Sequence, residues 1–100
     1  MVIFTLKKVS RAEDDIAAAI HHLGGRDPRV AWAFTLELDR MLDLIRKFPE
    51  WFPHQRRTPN PKYRDVRMAV VRPFGYLIFY TFAANTVTIL RVQHGSQNEP

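Results

Sequence analysis

Residues 72–95, RPFGYLIFYTFAANTVTILRVQHG, decide the fold. The run 76–82 is apolar and rich in aromatic side chains, the composition of a central strand covered on both faces. Residues 86–92, TVTILRV, read as a second strand, and Ala83-Ala84-Asn85 between them is the turn of a hairpin. Upstream, Arg72-Pro73-Phe74-Gly75 marks another turn, before which Val66, Met68 and Val70 alternate with Arg67 and Ala69 in a further strand. Strands joined by such short turns pair antiparallel, and their apolar face needs cover.

Working outward, that cover comes from the N-terminal half. Ala31, Phe34, Leu38, Met41, Leu42, Ile45 and Phe48 recur at three- and four-residue steps, which predicts a helix over 28–48 with Asp27 as its N-cap and Pro28 in its first turn. Pro49 stops it. Ile16, Ala19, Ile20 and Leu23 share one face of an earlier helix over 11–23, for which Ser10 and Glu13 have capping-box spacing. Asp14 and Asp15 favour its positive end, and Gly24-Gly25 ends it. The short connection makes the two helices an antiparallel hairpin. Residues 2–7, VIFTLK, read as an opening strand. The order is therefore β-α-α-β-β-β, an α+β class in which a helical hairpin packs on one face of a mainly antiparallel sheet. One domain over residues 1–95 is expected, with a mobile polar tail at 96–100.

Residues 49–64, PEWFPHQRRTPNPKYR, are a long connection whose four prolines deny regular structure. Trp51 and Phe52 are expected to pin it to the core. A connection this long in a 100-residue chain points to function. The charge agrees. The first 50 residues carry 8 Lys/Arg against 8 Asp/Glu, whereas the last 50 carry 7 against 2, and six of those seven bases fall between positions 56 and 72. Such a stripe attracts phosphate backbones or an acidic protein, although it also serves simple solubility. The chain has no cysteine, which excludes disulfides and thiolate metal sites. His21 and His22 are adjacent and so diverge on a helix, and no metal or other cofactor is expected. The apolar start is too short for a signal peptide or a membrane span, which makes a cytoplasmic location the expectation.

Three stretches resemble the RelE/ParE superfamily of bacterial toxins: the opening strand with SRAEDDIAAAIHHL (10–23), the second helix AFTLELDRMLDLIRKFPE (33–50), and the closing RPFGYLIFYTFAANTVTILRVQHG (72–95). The resemblance implies the toxin of a type II toxin–antitoxin, or plasmid stabilisation, system, silenced by a cognate antitoxin. The superfamily holds two activities on one fold, so fold does not choose between them. ParE-like members poison DNA gyrase and arrest growth. RelE-like members are endoribonucleases that cleave messenger RNA on the ribosome.

A nuclease would draw on Arg67, Arg72 and Arg91 as cations around the phosphorane-like charge and on His94 as proton carrier. A gyrase-directed toxin would meet its target through Arg56, Arg57, Lys62, Arg64, Arg72 and Arg91. The His94-Gly95 ending and the lack of an aromatic after Phe82 favour the ParE-like branch. Gln97 stands where that branch often has an arginine. Plainer readings stand beside these: Arg91 as an ion-pair former to Asp65 or the C-terminus, His94 as an edge cap, Tyr76 and Tyr80 as core. Two other classes remain, a non-toxic antitoxin-binding domain and a nucleic-acid-binding module built on the basic stretch, in which Tyr63 alone could stack on bases.

Overall fold

The computed structural model describes residues 3–55 and 65–97, and the chain is built as β1 (Thr5–Lys8), α1 (Ser10–Gly24), α2 (Pro28–Lys47), β2 (Arg67–Val71), β3 (Tyr76–Ala83) and β4 (Thr86–His94). Short 3-10 turns follow α2 at Pro49–Trp51 and β4 at Gly95–Gln97. Arg56, Arg57, Lys62, Tyr63 and Arg64, and the last residues 98–100, lie outside the described residues. The sheet order is β1-β4-β3-β2. β2 and β4 flank β3 antiparallel, while β1 runs parallel to β4.

Both faces of β3 are covered, as its composition predicts. Tyr76, Ile78 and Tyr80 join Ala69, Val71, Val87, Ile89 and Val92 in the main core with Ala12 and Ala19 of α1 and Phe34, Leu38, Met41, Leu42 and Ile45 of α2. On the opposite face, Phe79 packs with Val66 and Leu90 in a second cluster to which neither helix contributes. The helical hairpin therefore sits on one side. Phe34 is fully buried and meets Phe74 and Tyr76 at centroid distances of 5.5 and 5.1 Å.

Several local details differ from the sequence expectation. α1 has no capping box: Val9 is the N-cap, and no side chain caps the helix. The reason is continuity with the sheet. The Val9 amide still donates to the Ile89 carbonyl, while the Val9 carbonyl already accepts from Glu13, so Ser10 is inside the first turn and cannot cap it. β1 begins at Thr5 because the Phe4 amide donates to the Arg46 carbonyl of α2 instead of to a strand. Gly25 closes α1 in an ordinary right-handed conformation, its amide bonded back to the His21 carbonyl. Asp27 does cap α2, accepting from the Arg29 amide at 2.9 Å, and the Arg29 guanidinium beside it holds its carboxyl below the usual carboxylate range.

β4 carries a bulge. Phe79 faces Arg91 and Tyr80 faces Ile89, which leaves Leu90 as an extra residue. Leu90 drops into the far cluster with Phe79, which lets Val92 return to the main core, and Arg91, opposite Phe79, reaches α1 through its long side chain. Phe34→Ala should lower unfolding free energy by about 3–5 kcal/mol in denaturant titration. Trp32→Ala, at a position 65% exposed on the outer face of α2, should change it by less than about 0.5 kcal/mol.

Candidate functional site

Arg91 is the first of the chemically interesting residues, and its side chain reaches from β4 to α1. Its Nε donates to Asp15 Oδ2 at 2.7 Å and its Nη2 to Oδ1 at 3.2 Å, a two-pronged ion pair across 76 residues of chain. The Val92 amide adds a third bond to the same carboxylate at 3.0 Å. Both side chains are largely shielded, 18% and 15% exposed, so the positive charge of Arg91 is matched at its own site. Asp65 is not the partner, since it pairs with His54, and the C-terminus lies outside the described residues. Sequence reading took Asp15 for a helix-end acid. The available signal was its place between Ala12 and Ala19, on the buried face of α1.

His94 ends β4 and lines a cleft of about 510 Å³ together with Asp15, His22, Tyr76 and Arg91. Its Nδ1 accepts from the Ser96 amide at 3.2 Å and lies 2.8 Å from the Ser96 hydroxyl. An amide can donate only to a nitrogen that keeps its lone pair, so in this arrangement the ring proton belongs on Nε2. The ring stands edge-on to Tyr76 at 5.2 Å. Opposite it, Gly75 adopts φ +75°, and a Cβ there would come within 3.2 Å of His94 Nε2, so both the turn and the imidazole require glycine. The Gly95 amide bonds to the Gly75 carbonyl and holds the two ends together.

Arg67 lies elsewhere. Its Nη1 donates to the carbonyls of Glu50 and Phe52 at 3.1 and 2.7 Å, and its cation sits 5.4 Å from the centre of the Phe82 ring. Its Nε is buried and has no hydrogen-bond partner among the described residues. The Tyr80 hydroxyl donates to the Pro49 carbonyl. These two side chains fasten residues 49–52 beneath the sheet end, while Pro53 to Gln55 run along β2: the Met68 amide donates to the Pro53 carbonyl and the Gln55 amide to the Val66 carbonyl. His54 and Asp65 close this strap at 2.6 Å. Phe52 packs inward against Tyr80, but Trp51 is not a core anchor. It is 66% exposed and stacks on Phe48, 3.9 Å away and 9° from parallel, so one of its faces stays in water.

Arg72 is exposed in the turn before β3 and borders a groove of about 380 Å³ between α2 and β2. The four residues that a nuclease would need are thus divided: Arg91 and His94 share one cleft, Arg72 borders another, and Arg67 is fastened to the strap. Tyr76 and Tyr80 are core residues. Among the described residues, no three His, Asp or Glu side chains gather as metal ligands would, and no helix is long and apolar enough to cross a membrane.

A sequence profile described as "ParE toxin of type II toxin-antitoxin system, parDE" matches residues 8–99. The chain belongs to the ParE toxin family. Among solved structures, the chromosomal ParDE toxin–antitoxin system of P. aeruginosa is similar to it with a TM-score of 0.73 at 15% identity, over 92% of this chain and 96% of that one. At that identity the likeness bears on fold, and it agrees with the two-helix, four-strand arrangement of this ParE-family chain. No curated protein matches it.

Two outcomes follow for this family member. Asp15→Ala strips the partner from Arg91 and the acceptor from the Val92 amide, and should cost about 1–3 kcal/mol in denaturant titration, with Asp15→Asn costing less. Burial pushes the Tyr80 hydroxyl well above the ordinary phenol range, and Tyr76 is raised for the same reason. A phenol raised by folding contributes stability that is complete below its unfolded pKa and is lost as pH rises beyond it. Tyrosinate absorbance should therefore show Tyr80 ionising only as the fold opens in strong alkali, a step missing from Tyr80→Phe.

Proposed function

We propose that this chain is a ParE-like toxin that poisons DNA gyrase and is neutralised by a cognate antitoxin. Family membership supports the toxin reading. The choice of gyrase over messenger RNA is supported by one observation: the guanidinium groups of Arg91 and Arg67 are both engaged internally, the first by Asp15 and the second by the Glu50 and Phe52 carbonyls. Ribonuclease chemistry needs cations free to follow charge developing on a phosphate. Of the two proposed target-binding bases within the described residues, Arg91 is paired with Asp15, whereas Arg72 is exposed and has no carboxylate partner among those residues. Arg56, Arg57, Lys62 and Arg64 extend that reading through their charge in the sequence. Work on gyrase and a role in plasmid stabilisation place the protein in the cytoplasm on this proposal.

A second reading has its own support. Arg91 and His94 border a single cleft large enough for a nucleotide, as a RelE-like nuclease would require.

Purified protein assayed with gyrase and supercoiled plasmid, and separately with programmed ribosomes, separates the two. Gyrase inhibition without messenger cleavage is expected. His94→Ala should then leave toxicity within a few fold, whereas in a nuclease loss of the proton carrier would lower the rate roughly a hundredfold or more. Ribosome-dependent cleavage abolished by His94→Ala would overturn the proposal. Growth arrest on expression, relieved by the partner, tests the toxin assignment itself.

A further inference from the structure

The fold hides one face of α2 and leaves the opposite face bare. Phe34, Leu38 and Ile45 form the buried row, and at 3.6 residues per turn Leu36 stands directly opposite them. Trp32, one turn earlier, shares that outer face, and the two side chains are 65% and 53% exposed. Arg29 precedes Trp32 by three positions and Asp39 follows Leu36 by three. All four are exposed, and their steps of three, four and three residues are those of a coiled-coil seam.

This seam is its own complement. Arg29 and Asp39 stand five positions to either side of residue 34, and Trp32 and Leu36 stand two positions to either side of it. A second α2 laid antiparallel, with its residue 34 at the same level, sets Trp32 on Leu36 and Arg29 on Asp39 twice each, about a two-fold axis. A parallel mate would oppose arginine to arginine and aspartate to aspartate, so charge selects the antiparallel arrangement.

The charged ends are prepared for such a partner. Arg29 Nε and Nη2 donate to Asp27 at 3.2 and 2.9 Å, which holds the guanidinium in place. Its Nη1 makes no hydrogen bond among the described residues, and Asp39 has no ion-pair partner among them. One guanidinium can serve both carboxylates, because its fork carries five N–H donors.

We infer that two copies of this chain associate through the outer face of α2, antiparallel, with Trp32 packed on the partner's Leu36 and Arg29 paired with the partner's Asp39. A single helix pair covers less surface than a standard protein interface, so the association is weak and depends on concentration. The inference concerns the chain by itself and is independent of both the gyrase and the antitoxin readings.

Sedimentation equilibrium of the full chain tests it. The average mass should rise reversibly from one chain towards two with increasing concentration. Over the same range, Trp32 emission should move to shorter wavelength in Trp51→Phe, where Trp32 is the sole tryptophan. The double variant Trp32→Ala, Leu36→Ala keeps a strong helix former at both exposed positions, and should stay monomeric with unchanged circular dichroism. Arg29→Glu and Asp39→Arg should each weaken self-association about tenfold or more, since each turns both charge contacts repulsive. Mixed together, these two variants should pair with one another, because every charge contact then joins opposite signs. A mass of one chain up to about 1 mM, a range in which even weak complexes form, would overturn the inference. So would association that survives the alanine variant, or charge variants that pair no better mixed than alone.

Discussion

Everything in this chain is arranged around one strand that cannot be wet on either side. β3 is paired along both edges and apolar on both faces, so each neighbour is placed by what it must cover. The helical hairpin buries Tyr76, Ile78 and Tyr80. The far face has no helix, and Phe79 is closed off by Val66 and Leu90 instead. A regular β4 would send Leu90 and Arg91 to alternate faces with Val92 on the wrong one. The bulge resolves the conflict, giving Leu90 to the small cluster while Val92 stays in the main core.

The consequence is electrostatic. The basic half of the sequence suggests a battery of free cations, but folding withdraws two of them. Arg91 becomes a tie between α1 and β4, and Arg67 becomes a clamp on the strap, with carbonyl oxygens in place of a counter-ion. A guanidinium suits that second task because its planar fork can serve two carbonyls while its flat face rests near the Phe82 ring. Of the basic half's described arginines, the one that remains outward is Arg72, carried on a turn whose shape depends on Gly75.

The legible part of the fold was the part written in periodicity. The 3.6-residue spacing from Ala31 to Ile45 and the unbroken apolar run of β3 placed α2 and the centre of the sheet. The start of α1 and the roles of single residues were less readable. Ser10 and Glu13 satisfy a capping motif locally, but the bond from the Val9 amide to Ile89 decides where the helix begins, and that bond spans the whole chain. Trp51 reads as a core anchor by composition, yet the stack on Phe48 satisfies one face and leaves the other exposed. Asp15 and Arg91 lie 76 positions apart, and local periodicity does not record a pairing at that range.

The position of β1 carries a consequence for how the protein comes into being. The first strand of the chain pairs with the last, Thr5 opposite Thr86 and Lys8 opposite Ile89. During synthesis the helices and the β2–β3 hairpin emerge with one side of β3 unpaired and with β1 lacking its neighbour. Closure of the sheet waits for residues 86–94, and contacts of such long range are the slow ones to form. Arg91 and His94 arrive on that same final strand. A product truncated before residue 86 lacks β4 and therefore never assembles the cleft. The cleft that holds Arg91 and His94 is thus the last part of this ParE-family fold to be completed.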